Sequence, residues 1–319
     1  MRVPGTIAFH DLGHVEEKFR DAVLEGLAAP AKHIPCKFLY DARGSALFEQ
    51  ICELPEYYPT RTEMRLLRHY GADIAAVIGT GAQIVEFGSG ASRKSRILLD
   101  ALDRPQMYVP IDVSRQHLRT SAEALARDYG GLEVVAICGD YTRHVPLPPP
   151  GPGRRVGFFP GSTIGNFKPA EAQAFLVSWR DRLSGGGMLV GVDLKKDAAV
   201  LHAAYNDAAG VTADFNLNLL ARINRELAGD FDLAAFAHIA YWDAAEGGIG
   251  SESESRREQT VHVAGQAVRF VAGERIHTED SYKYTIDEFR DLARAADFRA
   301  ERVWSDPQHL FSLHYLSAV

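Results

Sequence analysis

Cysteine is scarce in this sequence, and its three copies form no recognisable framework. Cys36, Cys52 and Cys138 have no CxxC spacing and leave an odd count. This pattern favours free thiols in a reducing compartment over a set of disulfides. His10 and His14 lie four residues apart, but no third ligand is evident, so we expect no metal site.

Long apolar runs and basic clusters are also missing. No run reaches the roughly 18 apolar residues that a membrane-spanning helix needs, and the N-terminus lacks the apolar core of a secretory signal. The 42 acidic residues outnumber the 35 basic ones, for a formal net charge of -7. Without clustered Lys and Arg, a nucleic-acid-binding surface is not expected. We therefore predict a cytoplasmic protein with neither a nucleic-acid nor a membrane partner, and we also expect it to be a monomer.

What the sequence does contain is an alternation of strands and helices that begins near residue 83. Strand-like apolar segments alternate with helical stretches, which predicts a parallel, doubly wound α/β sheet. A capping box at Thr285–Glu288 predicts a helix that ends near Ala296. After it, two strand-like segments predict an antiparallel edge of the sheet. The predicted strands are 83–87, 107–111, 133–137, 155–159, 188–192, 299–304 and 310–316.

Two stretches interrupt this alternation. Residues 1–61 are predicted to be helical or irregular, and residues 196–281 combine a helical segment with short strand-like pieces. We therefore predict that 62–195 and 282–319 form the doubly wound domain. A second lobe would combine 1–61 with 196–281.

The segment Glu86–Gly90 (EFGSG) follows the first predicted strand. Gly88 and Gly90 would let backbone N–H groups approach a ligand closely at the carboxyl edge of the sheet. Asp112 ends the second strand and Asp140 the third, where carboxylates can bind ribose hydroxyls and read an adenine edge. Either aspartate alone could instead be a turn residue.

The type of nucleotide follows from the glycine spacing. The run Gly88-Ser89-Gly90-Ala91-Ser92-Arg93 lacks the third glycine of GxGxxG, which disfavours a dinucleotide and hence a nicotinamide oxidoreductase. An acidic residue two positions before the first glycine resembles the first motif of class I methyltransferases. That resemblance implies S-adenosylmethionine as the cofactor.

Four longer strings, lying in both predicted lobes, extend the resemblance. The strings are Lys37–Ser45 (KFLYDARGS), Leu54–Arg61 (LPEYYPTR), Gly161–Asn166 (GSTIGN) and Ala208–Asn216 (AAGVTADFN). They resemble the histidine-specific, S-adenosylmethionine-dependent Nα-methyltransferases of ergothioneine biosynthesis, from about Lys18 to the C-terminus. The resemblance implies a class I (Rossmann-like) methyltransferase domain with a second α+β lobe that binds the substrate. It also implies a small amino-acid substrate, L-histidine, whose α-amino group is trimethylated to give hercynine.

The resemblance also implies roles for individual residues. Tyr57 and Asn166 would be catalytic and lie near the substrate amino group, and Tyr205 would hold the carboxylate. Glu279 and Ser281 would hold the imidazole ring. The implied cofactor-binding residues are Tyr40, Gly88, Lys94, Asp112, Asp140 and Tyr141. The implied substrate-binding residues are Tyr57, Gly161, Thr163, Asn166, Tyr205, Ser251, Glu279 and Ser281.

Several of these residues have a structural alternative. Tyr57 could be an aromatic between lobes, and Asn166 a turn residue. Glu279 and Lys94 could be ordinary solvated charges.

The chain departs from the family in one segment. Where the family usually has Ile-Glu-Met, this sequence has Ile249-Gly250-Ser251. Serine in place of methionine removes apolar contact worth ~1–2 kcal/mol in a buried pocket. The serine-rich run has low strand propensity, so we predict a mobile loop. Two alternatives stay open: methylation of a different amino acid, and a non-catalytic protein that binds S-adenosylmethionine.

Overall fold

The computed structural model describes residues 7–13, 16–183 and 185–318. It divides into two compact units. Unit 1 is Met1–Gly13, Tyr58–Lys196 and Tyr282–Val319, and unit 2 is His14–Tyr57 and Asp197–Ser281. His14, the second histidine of the pair considered as a metal site, lies outside the described residues. The functions predicted for the two lobes stay predictions.

The strands of the described residues are numbered in chain order. They are β1 (Ala8–Asp11), β2 (Gln83–Phe87), β3 (Met107–Asp112), β4 (Glu133–Cys138), β5 (Arg155–Phe159), β6 (Gly187–Asp193), β7 (Phe236–Asp243), β8 (Gly248–Ser255), β9 (Gln259–Val263), β10 (Gln266–Phe270), β11 (Arg275–Tyr282), β12 (Phe298–Ser305) and β13 (Phe311–Ala318).

The helices are numbered in the same way, and short 3-10 turns lie at Cys36–Leu39, Thr163–Asn166, Asp181–Leu183 and Leu233–Ala235. The helices are α1 (Glu16–Ala28), α2 (Ala42–Glu53), α3 (Tyr58–His69), α4 (Gly71–Ile78), α5 (Arg93–Ala101), α6 (Arg115–Asp128), α7 (Pro169–Arg180), α8 (Ala198–Tyr205), α9 (Val211–Glu226) and α10 (Ile286–Ala295). Among the described residues, no helix combines the length and the apolar character that a membrane span requires.

Unit 1 is built on an eight-stranded sheet in the order β1-β4-β3-β2-β5-β6-β13-β12. Strands β1 to β6 pair in parallel, whereas β13 runs antiparallel to both β6 and β12. From β2 the chain moves outward through β3 and β4, then returns to the other side of β2 with β5 and β6. This reversal creates a switch point at the carboxyl ends of β2 and β5, where ligands of doubly wound sheets bind. The predicted fold class is confirmed, including the antiparallel edge.

Both faces of this sheet are buried, as in other parallel sheets covered by helices. Alternate side chains of β2 point to opposite faces. Ile84 joins an apolar core with Leu98 of α5, and Val85 joins a second core with Trp179 of α7 and Phe289 of α10. The capping box predicted at Thr285 is present: its side chain accepts from the Glu288 N–H.

One prediction for the N-terminal segment is wrong. The sequence indicates helical or irregular structure for residues 1–61, yet Ala8–Asp11 form β1, which pairs in parallel with β4 from Val135 to Cys138. Four residues are too few to show a periodic pattern, so pairing with the edge of β4 decides the conformation. Residues 1–6 and 14–15 of that segment lie outside the described residues.

Unit 2 combines helices α1, α2, α8 and α9 with a three-stranded sheet, β11-β8-β7, and the hairpin β9–β10. The mobile loop predicted for Ile249–Ser255 is wrong, because these residues belong to β8, the central strand. Pairing on both sides outweighs the low strand propensity of serine. Glu252 and Glu254 also form ion pairs of 3.0 and 2.8 Å with Arg275 on β11. Gly250 lets the Tyr241 ring lie close to β8, since a Cβ would be 2.9 Å from that ring.

Candidate active site

The turn after β2 is held by two glycines in the left-handed region. Gly88 has φ +73° and Gly90 has φ +46°. Residues other than glycine rarely adopt such positive φ angles. The Gly90 N–H donates to Oδ2 of Asp112 over 3.2 Å. A Cβ at Gly90 would meet nothing within 4 Å. The space beside the turn is therefore open.

Asp112 connects this turn to the end of β3. Its Oδ1 accepts the Ser114 N–H over 2.8 Å, and its Oδ2 accepts the Gly90 N–H. Burial raises the pKa of the Asp112 carboxyl group, although these two hydrogen bonds oppose the shift. Each carboxylate oxygen accepts one backbone N–H and has further lone-pair capacity for ligand hydroxyls. The open glycine turn and this carboxylate fit the ribose of a nucleoside cofactor.

Asp140 and Tyr141 follow β4. Oδ1 of Asp140 accepts from the N–H and the hydroxyl of Thr142 at 3.0 and 2.5 Å, so this aspartate also shapes the turn. The Tyr141 ring packs edge-to-face with Phe87, with ring centroids 5.9 Å apart. Its Cε1 would lie 3.9 Å from a Cβ at Gly88. The structure therefore brings Gly88 and Tyr141 together at the switch point.

Glu86, the acidic residue before the glycines, is almost fully buried. Its Oε2 accepts the Ser95 hydroxyl over 2.5 Å and also the Tyr108 hydroxyl. Burial raises the pKa of Glu86 to about 8, so the carboxyl group carries its proton at neutral pH. This side chain joins β2, β3 and α5 beneath the glycine turn.

Lys94 has a partner that the sequence did not indicate. Glu63 of α3 has 0% exposure, and it pairs with the Lys94 ammonium over 2.6 Å. The same carboxylate accepts the Gly161 N–H at 3.0 and 2.9 Å. Gly191 leaves room for it, since a Cβ there would lie 2.2 Å from Oε1. Glu63 thus joins a predicted cofactor residue to the loop of predicted substrate residues.

The loop from Gly161 to Asn166 has a strained start. Gly161 has φ +81° and Ser162 has φ +58°, an uncommon conformation for serine. The Ser162 hydroxyl accepts the Asp193 N–H over 2.9 Å, and the Thr163 hydroxyl donates to the Pro160 carbonyl over 2.8 Å. Asn166 ends the 3-10 turn. The loop is therefore held at its start and along its length.

A charged cluster lies beneath this loop, at the end of β6. Asp193 pairs with Lys196 at 2.5 Å and with Lys283 at 2.9 Å, and it accepts the Tyr58 hydroxyl at 2.8 Å. Burial alone would raise the pKa of Asp193, but the two ammonium groups lower it. Burial lowers the pKa of Lys196 to about 8. These contacts join α3, β6 and the segment after β11.

In unit 2, three predicted substrate residues come together. The Tyr205 hydroxyl and the Ser281 hydroxyl lie 2.7 Å apart, and the rings of Tyr205 and Tyr57 meet edge-to-face with centroids 6.4 Å apart. The pKa of the Tyr57 hydroxyl is raised well above its ordinary value, mainly by burial and to a lesser extent by the neighbouring Tyr205. Glu279 on β11 contributes to the same electrostatic environment.

Tyr40 and Ser251 also lie in unit 2. The Tyr40 ring contacts Phe48 and Phe215 at centroid distances of 5.5 and 5.4 Å. This predicted cofactor residue is part of unit 2, whereas the glycine turn is part of unit 1. Ser251 is 5% exposed, and its carbonyl accepts the Thr278 hydroxyl over 2.9 Å. Ser251 is therefore a buried residue of the central strand β8, and its backbone carbonyl is hydrogen-bonded to β11.

Sequence reasoning missed the buried charges, Glu63 and the Asp193 cluster. A glutamate on a helix is normally solvated, and no local pattern marked this one. Within the described part of the chain, no group of three or more His, Cys, Asp and Glu side chains could hold a metal ion.

The sheet order, the antiparallel edge and the glycine turn at the switch point define a class I methyltransferase domain. The profile of one family, described as histidine-specific, S-adenosylmethionine-dependent methyltransferases, matches residues 19–318. The chain belongs to this family.

Relatives of similar length lie in mycobacteria. A protein of Mycolicibacterium smegmatis named "Histidine N-alpha-methyltransferase" is 45% identical over 303 residues, covering 93% of this chain and 94% of the relative. A protein of Mycobacterium tuberculosis with the same name is 42% identical and covers 95% of each chain. "Ergothioneine biosynthesis protein 1" of Neurospora crassa is 32% identical, covering 90% of this chain and 33% of that protein.

Proposed function

We propose that this enzyme transfers three methyl groups from S-adenosylmethionine to the α-amino nitrogen of L-histidine, giving hercynine. The observation that carries the proposal is the likeness across almost the whole chain to two proteins named for histidine Nα-methylation. The membership of the histidine-specific family points the same way.

Apart from Tyr40, the cofactor-side residues of the proposal lie in unit 1. When bound, S-adenosylmethionine supplies an electrophilic methyl group on a sulfonium. Asp112 would accept the ribose hydroxyls beside the open turn at Gly90. Lys94, neutralised by Glu63, and Tyr141 would complete the site. Tyr40 of unit 2 stays a predicted cofactor contact.

The acceptor amine must be neutral to attack, whereas free α-amino groups have pKa values near ~8. In-line transfer also requires that the lone pair be aligned with the methyl group. We assign this alignment to Tyr57 and Asn166, with Gly161 and Thr163 shaping the loop. Because burial raises the pKa of Tyr57, its hydroxyl stays protonated and orients the nitrogen rather than acting as a phenolate base.

Recognition of the histidine itself is assigned to β11 and the end of α8. Glu279 would accept one imidazole N–H and Ser281 would serve the other nitrogen. Tyr205, 2.7 Å from Ser281, would hold the carboxylate. A site that pairs both ring nitrogens should reject isosteres that lack one of them.

The proposal is tested by incubating the purified protein with S-adenosylmethionine and a panel of amino acids, followed by mass spectrometry. We expect histidine to gain three methyl groups. Consumption of another amino acid with none of histidine would refute the substrate.

A variant pair tests the role of Glu279. Glu279→Gln should raise KM for histidine roughly tenfold or more, since a charged hydrogen bond is lost, and leave KM for S-adenosylmethionine unchanged. Glu246→Gln, an exposed position in unit 2, is the matched control. Equal effects of Glu279→Gln on both KM values would remove its role in binding the imidazole.

A second candidate is Nα-methylation of a different amino acid, favoured by the buried Ser251. Ser251→Met should change the ratio of kcat/KM values among amino acids but not cofactor affinity. An unchanged ratio would remove Ser251 from the pocket.

A further inference from the structure

His238 of β7 links the end of α8 to α9 through both of its ring nitrogens. Nε2 lies 3.0 Å from the Tyr205 carbonyl oxygen. Nδ1 lies 2.8 Å from Nδ2 of Asn216. Neither the resemblance nor the local sequence pattern assigned this histidine a role.

Two independent contacts determine which nitrogen carries the proton. A carbonyl oxygen only accepts, so Nε2 must donate to Tyr205. The amide of Asn216 is oriented separately, because its Nδ2 donates to the Glu252 carbonyl over 2.9 Å. The second N–H of that amide then meets Nδ1, which must accept. Both contacts require the same tautomer.

The protonation state agrees with this geometry. Burial lowers the pKa of His238, although the Tyr205 carbonyl and the Asp207 carboxylate oppose the shift. A second proton on Nδ1 would place two donors against each other at Asn216.

The carbonyl that His238 binds belongs to the last residue of α8, where helical carbonyls have no partner within the helix. Asn206 provides a second connection, since its Nδ2 donates to the Ala240 carbonyl of β7 over 3.1 Å. The end of α8 is thereby attached to β7 at two points. The Tyr205 side chain leaves this anchored end and meets the Ser281 hydroxyl.

We propose that His238 is a positioning residue for substrate binding: an imidazole protonated on Nε2, oriented by Asn216, that anchors Tyr205 opposite Ser281. This proposal rests on the proposed function, in which Tyr205 and Ser281 contact the amino-acid substrate. His238 does not touch the substrate itself.

The tautomer is tested first, without any activity assay. Nitrogen-15 NMR of protein labelled at histidine, with His238→Gln used to assign the resonances, should show an Nε2–H imidazole for His238. An Nδ1–H tautomer or an imidazolium would overturn the proposal, whatever the enzyme methylates.

Kinetics test the positioning role. His238→Leu removes both hydrogen bonds and should raise KM for the amino acid roughly tenfold or more, because a buried carbonyl loses its donor. KM for S-adenosylmethionine should stay within about twofold, since the glycine turn lies in unit 1. In His238→Gln the side-chain amide can still donate to Tyr205, so we expect most of the affinity for the amino acid to return.

The control is His262→Gln, an exposed histidine on β9 that contacts only Asp230 among the hydrogen bonds described for its ring. Parallel rises of both KM values in His238→Leu, or no recovery in His238→Gln, would refute the positioning role. If the panel shows a substrate other than histidine, the same measurements are made with that amino acid. Failure of the proposed substrate is thus separated from failure of this inference.

Discussion

Glu63 offers the most direct test of the buried charges in unit 1. Glu63→Gln preserves the shape and one oxygen that can accept the Gly161 N–H, but it removes the charge opposite Lys94. Removing one partner of a buried ion pair costs about 3–5 kcal/mol. The Lys94 side chain is 18% exposed, so its ammonium recovers some hydration. We therefore expect unfolding free energy to fall by about 2–3 kcal/mol.

The assay is urea unfolding followed by tryptophan fluorescence. Trp179 and Trp304 are buried in unit 1, and Trp242 is the tryptophan of unit 2. In a Trp242→Phe background the signal reports unit 1, and linear extrapolation gives the free energy.

The matched control is Glu123→Gln on α6. Its ion pair with Arg119 spans 3.9 Å, and both side chains are 42% exposed. Exposed pairs of this kind contribute little, so no measurable change is expected. A Glu63→Gln variant as stable as Glu123→Gln would refute the reasoning that Glu63 neutralises Lys94 in a buried site.

Three further predictions concern the same unit. Glu86 has a pKa of about 8 in the folded protein, above its unfolded value, so its contribution to stability is largest at low pH and is lost as pH rises. Between pH 5 and 8 this group lowers the free energy of unfolding by up to ~1.4 kcal/mol per pH unit. Glu86→Gln should remove that slope, measured by urea unfolding at several pH values. Asp112→Asn should weaken S-adenosylhomocysteine binding roughly tenfold or more in calorimetry. The new side-chain NH2 group would face a backbone N–H that a carboxylate oxygen now accepts. An unchanged affinity would exclude Asp112 from cofactor binding. Gly191→Ala should lower the free energy of unfolding by about 1–3 kcal/mol through overpacking. Gly130→Ala should leave it unchanged, because the added Cβ has nothing within 4 Å.

Much of unit 1 was predictable because its signals are local. The buried parallel strands are mostly apolar, a glycine turn follows the first predicted one, and an acidic residue ends the next strand. Because the carboxyl ends of parallel strands share one edge of the sheet, Gly90 and Asp112 were expected to lie near each other. A hydrogen bond of 3.2 Å joins them in the structure. The roles of these residues in binding stay predictions.

The two segments that were predicted wrongly take their conformation from pairing with neighbouring strands. The propensity of Ile249–Ser255 indicates a loop, but β7 and β11 supply hydrogen bonds on both sides. In the same way, β1 exists because the edge of β4 is available to it.

By itself, the sequence determined the fold class, the family and the position of the glycine turn, because these depend on patterns within a few residues and on strings shared with relatives. Only the tertiary structure decided that Glu63 faces Lys94 and that His238 faces Tyr205 and Asn216. A buried charge or imidazole is stable only where the fold brings a partner to it, and that partner lies tens of residues away in the chain.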